Sequence, residues 1–514
     1  MKKLTKIAAL GMSAMLLAAS MVGCGSGTKA PASDPSASKD SDTKKTDTKN
    51  TKGYDFYIFN TKGESADALD AAAVAYEAET RIKIKTFSLG SGTDSSETLR
   101  AEMNSKEKPA IFSIMNIQEL VEWEQGGFAM DLNQATNVDF KAMHDHVATG
   151  LRLTSDGSNS FGIPYNVEGY GYIADKEMLG DLFGEGNVDA LIKDLKAASY
   201  DEFKTMVEAI DGFINGGTSS SVTLSGTSYA LASEKSGKAA SLTGVFSVAG
   251  SEKGTYGDHL MNIVVDTAFA NPSAADAATD EQIDGMKGAL MAYAEVLDLK
   301  SAHTAGTDGP LNRGPEFINS TTNGYDAAVQ KFAESKAVFL KQGNWVYTNI
   351  EKANPDVVDT LTFIPVKMPF KDADIQVGGL TADHMNSSIP VFVPNYYAIN
   401  AKVSAEEQEM AQDFLVWLNQ KPEGQKFIIE DMAFIPYNAD PATTTLGNSL
   451  GNSIIEYMKD DKTITNSYAG APTGWTGDTV GLKVMEEYLT KSDWTQADYE
   501  AIADYAIEQW KALK

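Results

Sequence analysis

Tyr54-Asp-Phe-Tyr-Ile-Phe-Asn60 is the stretch that decides the fold class. Its aromatic and β-branched residues run straight into the turn-formers Asn60, Thr61, Lys62 and Gly63, so it reads as a strand. Beyond it, Leu69, Ala72, Ala73 and Tyr76 share one face of a helix. Ile82-Lys-Ile-Lys-Thr-Phe87 alternates as a second strand. The loop Ser88-Leu-Gly-Ser-Gly-Thr93 then leads to Asp94-Ser-Ser-Glu97, spaced like a capping box. Ala110-Ile-Phe-Ser-Ile-Met115 supplies a third strand before a helix at about 118–124. This βαβαβ order predicts an α/β fold with a largely parallel sheet and helices on its faces.

Helix starts recur downstream. Ser199-x-x-Glu202 opens a run with Phe203, Val207 and Ile210 on one side. Thr279-x-x-Gln282 opens one continuing through Ile283, Met286, Leu290, Tyr293 and Leu297. Ser404-x-x-Glu407 opens one with Met410, Phe414, Leu415 and Leu418. These stripes are core faces. Residues 216–239 are rich in Gly and Ser and read as loops around a short strand. There is no internal repeat.

Composition narrows the function. A chain of 514 residues with 42% hydrophobic and 22% charged residues can bury large cores over two or three domains. The net charge is −28, and about −31 once Lys2, Lys3 and Lys6 leave with a leader. That surface excludes nucleic acid, which needs a basic face to displace counterions. It equally disfavours charge-driven docking on anionic lipid.

Cys24 is the sole cysteine. Disulfides and cysteine metal sites are therefore excluded, and the thiol's position calls for a chemical duty. The basic start Lys2, Lys3 and Lys6, the apolar stretch from about Ile7 to Val22 and the small residues after it follow signal-peptide order over residues 1–23. Met21-Val22-Gly23-Cys24 resembles a bacterial lipobox, with Met21 where leucine is commoner. The resemblance implies cleavage before Cys24 and a diacylglyceryl thioether on its sulfur, an anchor strengthened by about 0.8 kcal/mol per buried methylene. Residues 24–53 then form a tether. From 25 to 53 there is no Val, Ile, Leu, Met or aromatic residue, too little apolar area to offset ordering entropy. Its span as a flexible linker is about 30 Å.

Several segments, taken in order, resemble the family 1 extracellular solute-binding proteins of ATP-binding-cassette sugar importers, which are maltose-binding-protein-like. They are the N-terminal strand, polar loop and amphipathic helix ending near Glu79-Thr80-Arg81-Ile82-Lys83; Gly162-Ile-Pro-Tyr-Asn-Val-Glu-Gly-Tyr-Gly-Tyr172; Phe332-x₆-Phe339 followed by Gly343-Asn344-Trp345; Val391-Phe-Val-Pro-Asn-Tyr-Tyr-Ala-Ile-Asn400; Gln425-Lys-Phe427; and Ile435-Pro436-Tyr437-Asn438. The likeness spans roughly 54–514. It implies a two-lobe periplasmic-binding-protein-like fold of type II, with discontinuous lobes joined by a hinge that the chain crosses about three times. The lobes would be 54–162 with 391–438, and 163–390 with 439–514. It further implies a monomer on the extracellular face of a bacterial membrane that passes a carbohydrate, an oligosaccharide, to permease subunits without cofactor or catalysis.

A sugar offers weakly apolar C–H faces and hydroxyls that both donate and accept. A site therefore needs flat aromatics and a few fixed polar groups in a concavity. The resemblance places Trp345, beside Asn344, near the interlobe cleft. Trp475, in Ala471-Pro-Thr-Gly-Trp-Thr-Gly-Asp478, reads as a large ring on an exposed loop. Tyr165, Asn166 and Glu168 follow the first crossing, where Tyr165 or Tyr170 could stack and Glu168 could accept from hydroxyls. Lys62 and Glu64 follow the first strand; Gly90, Ser91 and Asp94 lie before the second helix; Asn116 follows the third strand; Tyr396 sits at the second crossing. Strand-end loops of open α/β sheets converge on such a crevice.

Other readings stay open. The ligand could be a peptide, amino acid or polyamine in the same binding role. A surface glycosidase needs two carboxylates, but among 71 acidic residues such a pair means nothing. No GxSxG, HExxH or Walker motif is present. A structural adhesin would show regular short strands or repeats. His144-Asp-His146 reads as a solvated loop rather than a metal site.

Overall fold

The structure, a computed structural model, describes residues 52–90, 96–115, 117–148, 151–217 and 220–514. The leader, Cys24, the tether up to residue 51, Ser91, Asp94 and Asn116 lie outside the described residues. No described helix is long and apolar enough to cross a membrane.

The opening alternation folds as its periodicity requires. The elements are β1 Phe56–Asn60, α1 Ala66–Thr80, β2 Ile84–Ser88, α2 Ser96–Met103, β3 Ile111–Ile114 and α3 Ile117–Gln125. β1 pairs in parallel with β2 and β3. Because side chains alternate across a strand, Phe56 and Ile58 enter one core while Tyr57 and Phe59 enter another. Helices α1 and Ala405–Gln420 cover the first face. All five residues of β1 are buried, as in a parallel sheet covered on both sides.

The chain then leaves and returns. β4 Ile163–Pro164 and β14 Tyr396–Ile399 complete the first sheet, in the order β2-β1-β3-β14-β4. A second sheet is centred on β5 Glu168–Asp175, every residue of it buried. β5 is antiparallel to β11 Ala337–Gly343 on one edge. On its other edge it pairs with β12 Leu361–Ile364 and β13 Ile389–Phe392. Gly171 permits that edge, since a Cβ there would lie 2.6 Å from the Ile364 carbonyl oxygen. Outer positions go to β8 Gly244–Ser247, β9 Thr304–Ala305, β10 Pro310–Leu311 and β15 Thr463–Ile464.

The two sheets are joined at three neighbouring places. Residues 165–167 link β4 to β5, and 393–395 link β13 to β14. Phe434 packs in a core of the first sheet and Ile435 in one of the second. Tyr165 N–H donates to the Asn395 carbonyl and Val167 N–H to the Ile435 carbonyl, both at 2.8 Å. Passage between the sheets follows Pro164 and Phe392.

Local expectations were met at three caps: Ser199, Thr279 and Ser404 each form a capping box. Three others need correction. The run after Thr279 is two helices, Asp280–Asp284 and Lys287–Ala302, parted at Gly285, where glycine weakens a helix interior. Residues 221–230 hold two short strands, not one. They are β6 Ser221–Leu224 and β7 Thr227–Ala230, turned by Ser225 and Gly226 at φ 47° and 84°, the positive-φ pair that a tight hairpin demands. His144 is buried on the helix Val138–Asp145 rather than in a solvated loop, because its spacing puts it beside Phe140 and Met143.

Candidate functional site

The crevice between the sheets is built from the carboxyl end of β1 upward. Asn60 is buried and fixes the loop that follows. Its Oδ1 accepts from Lys62 N–H at 2.9 Å and from the Tyr165 hydroxyl at 2.8 Å. Its Nδ2 donates to the Lys62 carbonyl and to Ser88 Oγ. Lys62 is thereby aimed at the second sheet, where its Nζ donates to Glu168 Oε1. Glu64 Oε1 lies 3.2 Å from the same nitrogen. Asn166 Nδ2 donates to Glu168 at 3.1 Å, completing the cluster.

Burial sets the electrostatics. It pushes the Glu168 carboxyl up, against the pull of Lys62. For Lys62, burial alone would lower the ammonium pKa, but Glu168 and Glu64 together hold it above its ordinary value. The lysine therefore keeps its proton between two carboxylates.

Beside the cluster lies an aromatic wall, since Phe392 pairs directly with Glu168. Glu168 and Tyr170 are two apart on β5 and so share a face. Behind the wall Tyr170 is sealed, with its ring 4.8 Å from His259 and 6.0 Å from Phe392. Trp345 follows β11 in a short turn, its ring 4.9 Å from that of His259. Gly343 makes this possible, since a Cβ there would come within 1.9 Å of the indole. The indole N–H donates to Gln342 Oε1 at 3.0 Å. Trp345, His259 and Phe392 are each half-buried, leaving part of each ring uncovered. Tyr325 is half-buried too, and burial, Glu64 and Glu168 raise its hydroxyl pKa. Gln118 on α3 bridges the two halves by donating to the Ala469 carbonyl and, at 3.1 Å, to the Ala471 carbonyl.

The sequence-derived residues divide. Lys62, Glu64, Glu168 and Trp345 meet here. Half-buried Tyr396 lies on β14, facing Gly162. Asn344 is buried and its Oδ1 is committed to Gly169 N–H at 3.0 Å. Tyr165 needs correction: it stacks on Tyr397 at 3.9 Å and its hydroxyl is bound to Asn60, so no face remains for a ligand. Asn166 is fully buried and supports Glu168. Trp475 is corrected most sharply. It is 0% exposed, its indole donates to the Ala506 carbonyl at 2.7 Å, and its ring meets Trp510 edge-on at 4.5 Å. Segment Trp475–Gly481 is a wide helical turn inside the core, not an exposed loop.

Sequence reasoning missed His259, Lys341, Asn60 and Phe392. Only Lys341 carried a signal, as a cation inside the apolar strand Ala337–Gly343. A hollow of about 480 Å³ lies elsewhere, beside Lys193, Lys196, Asp383, Glu456 and Tyr457. There Lys196 pairs with Glu456 at 3.3 Å and covers the Tyr457 ring.

Comparison with known proteins agrees with this architecture. Residues 71–446 match the family described as bacterial extracellular solute-binding protein. No curated protein sequence matches the chain. Among solved structures, Streptococcus pneumoniae RafE in complex with raffinose is 16% identical with a TM-score of 0.57, covering 89% of this chain and 99% of that one. A Bacillus licheniformis sugar transporter protein in complex with stachyose is 16% identical, TM-score 0.55, covering 89% and 100%. The GacH receptor of Streptomyces glaucescens, solved unliganded and with acarbose, is 12% identical, TM-score 0.56, covering 89% and 97%. At such identities the likeness shows the fold, which is the two-lobe periplasmic-binding-protein-like one.

Proposed function

We propose, from the premise that this chain belongs to the bacterial extracellular solute-binding proteins, that it captures an oligosaccharide in the crevice and hands it to the permease of an importer. One observation carries the reading: half-buried Trp345, His259 and Phe392 lie beside the Lys62–Glu64–Glu168 cluster, with Phe392 paired to Glu168 itself. Rings suit the C–H faces of a sugar and the cluster suits its hydroxyls. Because Lys62 already has two carboxyl partners, it is not left to bind an anionic guest. The sugars named with the neighbouring structures support this choice.

Mechanism follows from the position of the parts. A ligand touching both lobes binds the closed form better than the open one, and only that difference drives closure. The hinge is the trio of segments at 165–167, 393–395 and 434–435, which parts the lobes close to the bounds 54–162 plus 391–438 and 163–390 plus 439–514. A diacylglyceryl group on Cys24 would hold the monomer at the outer face of the membrane, within reach of the permease.

A thermal-shift screen tests the ligand class. Raffinose, stachyose and chitin oligosaccharides are set against peptides and polyamines. A ligand at 100 times its Kd stabilises the fold by about 2.7 kcal/mol, which raises Tm by a few degrees. A shift with peptides or polyamines and none with any saccharide overturns the reading. Mass spectrometry of the membrane-extracted protein tests the anchor at Cys24.

A further inference from the structure

His259 opens the helix Asp258–Ala268, and its surroundings fix its chemistry. The ring lies between those of Tyr170 and Trp345, at 4.8 and 4.9 Å. Lys341 Nζ is 2.9 Å from Nδ1. An ammonium can only donate, so Nδ1 must accept and the proton of the neutral ring sits on Nε2. The tautomer is thus assigned by the hydrogen-bond network. A second proton would aim an N–H at that ammonium. Burial, then Lys341, Lys300 and Lys62, hold the imidazole pKa well below its ordinary value. His259 is thus within the electrostatic reach of Lys62, on the loop after β1.

The Nε2 edge makes no hydrogen bond among the described residues, and the residue is half-buried rather than sealed. A fixed, uncharged donor therefore stands at the aromatic wall. Such a donor meets an oxygen. It rejects an ammonium, which carries no acceptor and would also face Lys341.

We propose that His259 is a specificity-determining residue of the saccharide site, donating from Nε2–H to a hydroxyl or acetal oxygen, with Lys341 as the positioning residue that locks its tautomer. This rests on the carbohydrate reading above and adds a residue and a direction to it.

The test is titration calorimetry with raffinose and stachyose between pH 5.5 and 8, on the wild type and on H259F, H259Q and K341M. H259F keeps a ring and removes the donor. It is expected to lose about tenfold or more in affinity while its Tm stays close to wild type. H259Q places an amide N–H near the same spot and should recover part of the loss. Wild-type affinity should be flat with pH. In K341M the imidazole pKa should rise towards its ordinary value but stay below it, since burial remains, so affinity should fall only at the acid end of the range. Nitrogen-15 spectra of the five histidines should show His259 as the Nε2–H form throughout in the wild type and titrating in K341M. The groups facing the ring that could blur this are Lys341 on β11, Tyr170 on β5, Lys300 on the helix Lys287–Ala302 and Lys62 after β1.

A wild type that binds these sugars, with H259F equally tight, overturns the role of His259 and leaves the carbohydrate reading standing. A wild type that binds neither they nor chitin oligosaccharides overturns both. Should H259F fail to fold, an Nδ1–H tautomer in the wild-type spectra, or H259Q binding no better than His259→Ala, overturns the proposal by itself.

Discussion

Trp345 and Trp475 look alike in sequence, each within two residues of a glycine and within a few residues of a polar turn, yet the protein uses them in opposite ways. Trp345 folds back over Gly343 and keeps part of its ring uncovered in the crevice wall. Trp475 is closed in by Trp510 and the helix Gln496–Leu513, which supplies the Ala506 carbonyl for its N–H. The lesson concerns the flanking residues. Glycine beside a large ring reports close approach as readily as exposure. At Gly343 the thing approached is the indole itself. Near Trp475, Gly481 serves in the same manner, with a Cβ position 2.4 Å from the Lys253 carbonyl oxygen.

The contrast can be broken by substitution. The largest effect is expected from Trp475→Ala, a loss of about 3–5 kcal/mol of stability for an emptied core site, read by urea unfolding. The folded fraction should bind ligand as before. An unchanged unfolding midpoint with weakened binding would reverse the assignment of the two tryptophans.

Asp266 sharpens the sealed side. It is buried beneath the 465–467 segment, accepts from Ser467 N–H and Thr465 Oγ1, and burial pushes its carboxyl up to about 7. Between the unfolded value of 3.8 and that value, the folded chain holds a proton that the unfolded chain has lost. Stability from this group is therefore full below about 4 and is lost as pH rises towards 7. Asp266→Asn has no such dependence. Its stability relative to wild type should climb across that window by on the order of 3 kcal/mol, measured by unfolding at several pH values. A constant difference from pH 4 to 7 would contradict the buried-acid assignment.

On the crevice side, Trp345→Ala should weaken saccharide binding about tenfold, or ~1.4 kcal/mol, with a smaller change in unfolding midpoint than Trp475→Ala causes. Equal affinity in calorimetry would remove it from the site. The smallest effect is expected at Glu64→Gln. Lys62 keeps Glu168 as its partner, so stability should move by less than about 1 kcal/mol. Affinity should fall only a few-fold, and a collapse of the fold would show the cluster to be structural.

The first sheet was legible because its signal is local. Alternation in Phe56–Asn60 and the helical face of Leu69, Ala72, Ala73 and Tyr76 declare their partners within one element. The Ser199 and Ser404 caps were legible for the same reason, with donor and acceptor three residues apart. Lys62, Glu64, Glu168 and Trp345 could be nominated from strand ends and from the resemblance. Tyr165 and Trp475 were misjudged because nothing near them in the chain announces Tyr397 or Trp510. His259 was missed since a single histidine before an apolar helix has no pattern of its own.

Periodicity, caps and the lone cysteine thus determined the α/β class, the order of elements and the expected anchor, because each depends on residues a few positions apart. Which rings face a ligand and which are sealed was decided only in three dimensions. Lys62 reaches Glu168 across 106 residues and Lys341 reaches His259 across 82. Exposure is a property of the assembled surface, set by what distant segments cover, and no local spacing encodes it.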